Sequence, residues 1–437
     1  MRFKCVASTL LLLVTVFGAA AAVPDAVPEV SASASESRAA MRGGEEFISG
    51  DSLPDVVAAP VAGGAAVQTA AHRSFFRRVG DYFKDASRDR TLEKKFDVTF
   101  IGGLSYSQAT SLGFAVMAAG QYRVRRDSAT RPSNVSMFVN VTLTGAYSVG
   151  VDGKTFFPNK AKMDYLLMFQ SMPSAFWGVG YNNCDNNGPS QLTRDRIVIS
   201  ANYLYPVARN FYIGAAVGFD HLRAKNFSSS FDRSYVKTMN DDMLRPAVYK
   251  PEGQKNAYHM TGIGVVFEYD SRDFATEASK GIYLTITEKI YPKGLGNAGG
   301  TLWSTTFTAD WYQKLWSSGT LAADLYGELR SAGTPWAMMS RLGGSYRMRG
   351  YYEGRYIDRN MITFQVELRQ RIWKRIGCVV WAGAGNVFGN EPFSWGHTLP
   401  NYGLGLRWQF KHKVNIRVDY GFGRKSKGFV LNINEAF

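Results

Sequence analysis

Few of the 437 residues combine the types and spacing that chemistry needs. The chain holds no Gly-x-Ser-x-Gly elbow, no phosphate-binding glycine loop and no His-Glu-x-x-His pair. The histidines, His72, His221, His259, His397 and His412, are scattered, and no Cys-x-x-Cys occurs. Neither a metal, nor a cofactor, nor an enzymatic activity is therefore expected. Cys5 lies near the start, Cys184 in a polar loop and Cys378 in mid-strand, so the last two are expected to be free thiols. The densest polar chemistry lies in Gly343-Gly344-Ser345-Tyr346-Arg347-Met348-Arg349-Gly350-Tyr351-Tyr352-Glu353-Gly354-Arg355-Tyr356. Arg349 beside Gly350 suits a tight loop tip, and a guanidinium there makes strong charge-assisted bonds to carboxylates.

Such a loop needs a frame. Aromatics make up 14% of the chain and charged residues 20%, with 44 Gly. A disordered chain would be poor in aromatics. Beyond the first 25 residues there is no apolar run of the roughly 18 residues that a spanning helix needs. From Phe96 onward apolar and polar residues alternate. Ile362, Phe364, Val366 and Leu368 alternate with Thr363, Gln365, Glu367 and Arg369, and Val414, Ile416, Val418, Tyr420 and Phe422 with Asn415, Arg417, Asp419 and Gly421. The polar face is charged and so meets water. In a transmembrane β-barrel that face is the lumen, and the apolar face meets lipid. Sixteen strands are expected, near 96–106, 111–123, 134–143, 146–156, 162–182, 193–205, 209–222, 257–270, 281–291, 301–315, 319–331, 360–373, 376–388, 399–410, 413–423 and 427–437. The short connections Pro206–Ala208, Trp316–Ser318, Lys374–Arg375 and Lys411–His412 are even-numbered, and the long ones 223–256 and 332–359 are odd-numbered, as alternating periplasmic turns and surface loops require. The fold class is all-β, a 16-stranded antiparallel transmembrane barrel over 96–437 with a short N-terminal helix.

The region before the barrel divides in three. Arg2, Lys4 and the apolar stretch Leu10 to Phe17 form a signal peptide over 1–22. Residues 23–71, rich in Ala, Ser, Gly and Pro, form a disordered linker. Within 72–95, Phe75, Phe76, Val79, Tyr82 and Phe83 line one face of an amphipathic helix. The formal charge of +15 shows no basic run of the kind that binds nucleic acid. A cationic barrel facing outer-membrane lipid and lipopolysaccharide phosphates is the simpler reading. Phe429, Leu431, Ile433 and Phe437 alternate to the last residue, a common outer-membrane ending.

The segment 343–356 resembles the sixth-loop motif of the BamA/TamA outer-membrane assembly (bacterial surface antigen) superfamily. Tyr269-Asp270-Ser271-Arg272-Asp273, Glu367-Leu368-Arg369, Gly385-Asn386-Val387-Phe388 and Tyr402-Gly403-Leu404-Gly405 resemble family segments in the same order. The resemblance implies a barrel whose sixth loop folds into the lumen with Met348, Arg349, Gly350 and Tyr351 at its tip. It implies that Arg349 bonds to acids on the inner wall of strands 12 and 13. Here Gly383 stands where the strand-13 Asp belongs. The lock is therefore expected to rest on Glu367 alone, helped by Asp324 or Glu328. The family opens between strands 1 and 16, which implicates Gly102, Gly103 and Phe437. Residues 23–95 leave no room for the family's periplasmic POTRA modules. The function expected from the resemblance is outer-membrane protein assembly or translocation. Its expected partners are nascent outer-membrane or surface proteins and a periplasmic accessory protein. The alternatives are a solute pore and a structural or partner-docking barrel.

Overall fold

A computed structural model describes residues 95–437 apart from 126–129, 229–253, 276, 412–413 and 434. The expected signal peptide (1–22), the linker (23–71) and all but the last residue of the amphipathic helix and lead-in (72–95) lie outside the described residues.

Sixteen antiparallel strands close into a barrel. They are β1 Phe96–Ser107, β2 Ser111–Tyr122, β3 Ser133–Thr142, β4 Tyr147–Phe156, β5 Lys162–Phe176, β6 Ser190–Ala208, β7 Phe211–Ser228, β8 Ala257–Asp270, β9 Gly281–Tyr291, β10 Leu302–Trp316, β11 Gly319–Arg330, β12 Asn360–Trp373, β13 Ile376–Phe388, β14 Leu399–Lys411, β15 Val414–Gly423 and β16 Ser426–Ile433. The period-two pattern decides which way each strand faces. Val116, Val149, Ile199, Ile263, Leu284, Phe364 and Leu404 stand exposed on the outside, while Gln365, Glu367, Arg407 and Asp419 are buried inside. That is the reverse of a soluble sandwich and the rule for a barrel in lipid. No helix among the described residues is long and apolar enough to cross a membrane.

Three strands depart from the expected boundaries by more than three residues. The seventh, expected to end at 222, runs on to Ser228. The fifth strand, expected to reach 182, stops at Phe176, and the chain turns through Gly178 and Gly180 into the short helix α1 (Tyr181–Asn186). The last strand, expected to reach 437, ends at Ile433, and Glu435 and Ala436 are buried. Arg407 and Asn415, which face the lumen, bind Glu435 at 2.7 and 2.8 Å. Arg369 donates to the Phe437 carbonyl at 2.9 Å, and the Phe437 ring lies 6.3 Å from that of Tyr312. The end of the chain is turned into the lumen by these charges and does not continue the wall.

That turn leaves the closure between β1 and β16 thin. Among the described residues one pair, Tyr106 with Leu431, is in register there. By contrast β1 and β2 are in register from Phe96–Tyr122 to Ser107–Ser111, and β15 and β16 from Ile416–Ile433 to Gly423–Ser426. The Tyr106 and Phe429 rings meet edge-on at 5.5 Å beside this single pair.

Candidate functional site

The connection from β11 to β12 enters the lumen. Its base is a small ladder of Ser340–Leu342 against Tyr356–Asp358. Glu328 on β11 holds that base, accepting from Ser340 Oγ at 2.6 Å and from Arg330 at 2.8 Å. Asp324 on the same strand binds Arg347, through Nε at 3.0 Å and Nη2 at 2.9 Å. Arg347 also lies 3.9 Å over the Tyr326 ring.

Arg349 is fully buried at the loop tip. Its guanidinium bonds to Glu367 on β12 and to Asp419 on β15, the latter at 2.9 Å, and lies 3.8 Å over the Trp381 ring. Its carbonyl accepts from Asn401 on β14, whose Oδ1 is itself bound by Trp381 Nε1 at 2.9 Å. The expected reliance on Glu367 alone is therefore corrected. Asp419 supplies the second carboxylate, two strands away from the position Gly383 left without one. Gly383 has no room for a side chain, since a Cβ there would lie 2.5 Å from the Phe364 carbonyl. Neither Asp324 nor Glu328 bonds to Arg349, because both are taken by other parts of the same loop.

The wall around this contact is a charge network. Glu367 also binds Arg369 at 3.0 Å. Asp419 also binds Arg407 at 2.5 Å and Arg417 at 2.9 Å. Four guanidiniums, of Arg349, Arg369, Arg407 and Arg417, thus face three carboxylates, of Glu367, Asp419 and Glu435. Buried ion pairs add little net stability over an apolar core, but removing one member is costly, and they fix register.

Glycines let the loop tip approach the wall. Gly350 adopts φ +106°, and a Cβ there would lie 2.6 Å from the Gly421 carbonyl carbon. A Cβ on Gly421 would lie 2.1 Å from the Arg349 carbonyl oxygen. Loop and wall thus meet backbone to backbone. Met348 is buried with φ 51°, and its sulfur would lie 2.9 Å from a Cβ on Gly385. The Tyr351 hydroxyl donates to the Pro400 carbonyl at 2.8 Å and accepts from the Arg424 N–H at 2.6 Å.

A lid covers the loop. Tyr181 of α1 stacks on His397 at 4.0 Å and on Tyr356 at 5.5 Å. Asp185 accepts from the Tyr356 hydroxyl at 2.8 Å and pairs with Lys425 at 3.2 Å. Burial raises the Asp185 carboxyl, but the Tyr356 hydroxyl, Lys425 and Arg424 outweigh it and hold the group below its usual range.

The remaining sequence candidates lie elsewhere. Gly102 and Gly103 sit in the well-paired β1–β2 ladder opposite Val116 and Ala115. Phe437 is in the lumen against Tyr312 and Arg369, off the β1–β16 seam, because Arg369 and Arg407 draw the chain end inward. Asp419, Gln365, Trp381, Asn401 and Gly421 were missed as loop partners. The alternation along 414–422 places Asp419 and Gly421 on the lumen face, and this was the available signal.

A family model described as the Omp85 superfamily domain matches residues 125–437. No curated protein matches the chain. Among solved structures, the chain is similar to BamA from Haemophilus ducreyi lacking POTRA domains 1–3, at 12% identity and a TM-score of 0.50, covering 78% of this chain and 70% of that one. It is also similar to CdiB from Acinetobacter baumannii, at 11% identity and TM-score 0.50, and to CdiB from Escherichia coli, at 10% and 0.51. Those two alignments also cover 78% of this chain, but only 60% and 63% of the CdiB chains.

Proposed function

The chain belongs to the Omp85 superfamily, a family of outer-membrane barrels, and from that membership we propose that it assembles or translocates other proteins at the outer membrane by opening between β1 and β16. The observation that carries this reading is the contrast within one barrel wall. Among the described residues a single registered pair joins β1 to β16, whereas the sixth loop is locked to β12, β14 and β15 by buried charges and a backbone contact. An exposed strand edge is a template for another strand, and among the described residues the β1–β16 register is one pair long. The substrates would be chains that present an extended strand to that edge, such as nascent outer-membrane or surface proteins. The buried loop tip and its lid argue against a solute pore, since they occupy the lumen that solutes would use.

Depletion of the protein in its host, followed by quantitation of outer-membrane and surface proteins, tests the proposal. A subset of barrel or surface proteins is expected to fall severalfold. An unchanged outer-membrane proteome, together with large steady conductance of the purified protein in planar bilayers, would favour the pore instead.

A further inference from the structure

The outer wall changes character abruptly near the ends of β7 and β8 that carry the long connection between them, the surface side in the expected topology. On β7 the outward positions Phe211, Ile213, Val217 and Phe219 are apolar, and the next three are His221, Arg223 and Lys225. Their inward neighbours, Leu222 and Ala224, are buried with Tyr258 of β8 in one cluster, which fixes the facing of this stretch. On β8, His259 stands directly opposite His221 in the ladder. The stretch from Phe211 to Phe219 rises about 20 Å along the membrane normal, from a step of about 3.3 Å and a tilt of about 40°, against an apolar band of about 25 Å. His221 therefore lies about 5 Å above the last apolar residue and Arg223 about 10 Å above, which is headgroup depth.

The charges on this patch are unequal. Among the described residues its carboxylate is Asp195 on β6, which stands opposite Arg223 in the ladder but is engaged by Lys225 at 2.5 Å and by the Ser171 hydroxyl at 2.7 Å. Arg223 is exposed and makes no ion pair among the described residues. A guanidinium with two imidazoles paired at the level below it, at headgroup depth and above an apolar wall, matches a phosphate carried on an acyl-chain anchor. The fork binds phosphate oxygens in pairs, and the imidazoles add N–H donors. We propose that His221, Arg223, Lys225 and His259 form a binding site for the phosphorylated headgroup of an outer-leaflet glycolipid. The site rests on the barrel spanning a membrane and not on its role in assembly.

The test uses the full-length protein in phosphatidylcholine nanodiscs doped with bisphosphorylated lipid A, with retained lipid counted by mass spectrometry. Heat-modifiable migration verifies that each variant is a folded barrel, so failure of the assembly role leaves this readout unaffected. Wild type is expected to retain lipid A over phosphatidylcholine. Arg223→Gln should lower retention about fivefold, the effect of one surface cation on an anionic membrane. Arg223→Gln with His259→Gln should lower it further. Lys314→Gln, at the other end of the barrel on β10, should leave it unchanged. Retention of dephosphorylated lipid A equal to that of the phosphorylated form would overturn the assignment. So would an Arg223→Gln variant that matches wild type. Displacement of lipid A by inorganic phosphate at equal concentration would show a free-anion site and likewise overturn it.

Discussion

Gly421→Ala is expected to expel the tip of the sixth loop from the barrel wall, although the change adds one methyl group. That methyl would lie 2.1 Å from the Arg349 carbonyl oxygen and 2.5 Å from its carbon. The obstructing atoms are backbone, so no side chain can swing aside, and the loop must move as a unit. Overpacking of this kind costs about 1–3 kcal/mol where side chains can adjust. With backbone on both sides the upper end is expected, which is roughly a hundredfold in the open population. Gly350→Ala should be at least as damaging, because φ +106° adds backbone strain to the clash. Gly102→Ala is the control. A Cβ there meets nothing nearer than 3.5 Å, so the loop should stay seated. Amide hydrogen exchange over 343–354 reads the effect directly. Unchanged protection in Gly421→Ala would mean that loop and wall do not touch as described.

Removing Asp419 should damage the barrel more than removing Arg349, even though the two bond to each other. Arg349→Ala leaves three guanidiniums against three carboxylates, so the loop tip loses its anchor while the wall stays balanced. Asp419→Ala leaves four guanidiniums against two carboxylates, and three of those arginines lose a direct partner. Breaking a buried pair from the side that strands charge typically costs about 3–5 kcal/mol. Asp419→Ala should therefore lower the temperature at which the folded band is lost on semi-native gels, well beyond Arg349→Ala. Both single variants should accelerate exchange across the loop. The double variant should be less damaging than the sum of the two, because removing Arg349 relieves the excess positive charge that Asp419→Ala creates. Equal effects of the two single substitutions, or additivity in the double, would contradict a shared network.

The barrel was legible because its cause is local. A period of two with a charged face leaves one side for water and one for lipid, and this is visible strand by strand in segments such as 362–369 and 414–422. The loop tip was legible from its Gly-rich motif and from the arginine beside Gly350. What the sequence hid was partnership across strands. Asp419 lies 70 residues from Arg349, and only the curvature of the wall and the depth of the loop bring them together. Gly383 looked like a lost anchor, yet the space there is filled by Gln365 and the Phe364 carbonyl. Phe437 fitted an alternating last strand by its spacing. The pull of Arg369 and Arg407 on the chain end depends on three strands meeting in the lumen, and no one-dimensional pattern encodes it.

Whether the wall opens between β1 and β16 can be measured by locking it. Tyr106→Cys with Leu431→Cys places two thiols on directly opposed residues of an antiparallel pair, within disulfide reach. Cys378→Ser removes the half-buried thiol on β13. Cys184 is fully buried and its thiol is pushed up to about 12, so it will not compete. In cells depleted of the native protein, the oxidised variant should fail to restore the lost outer-membrane or surface proteins, and a reductant should restore them. If the disulfide-locked protein supports those proteins as well as wild type does, the β1–β16 seam is not the route by which this barrel works.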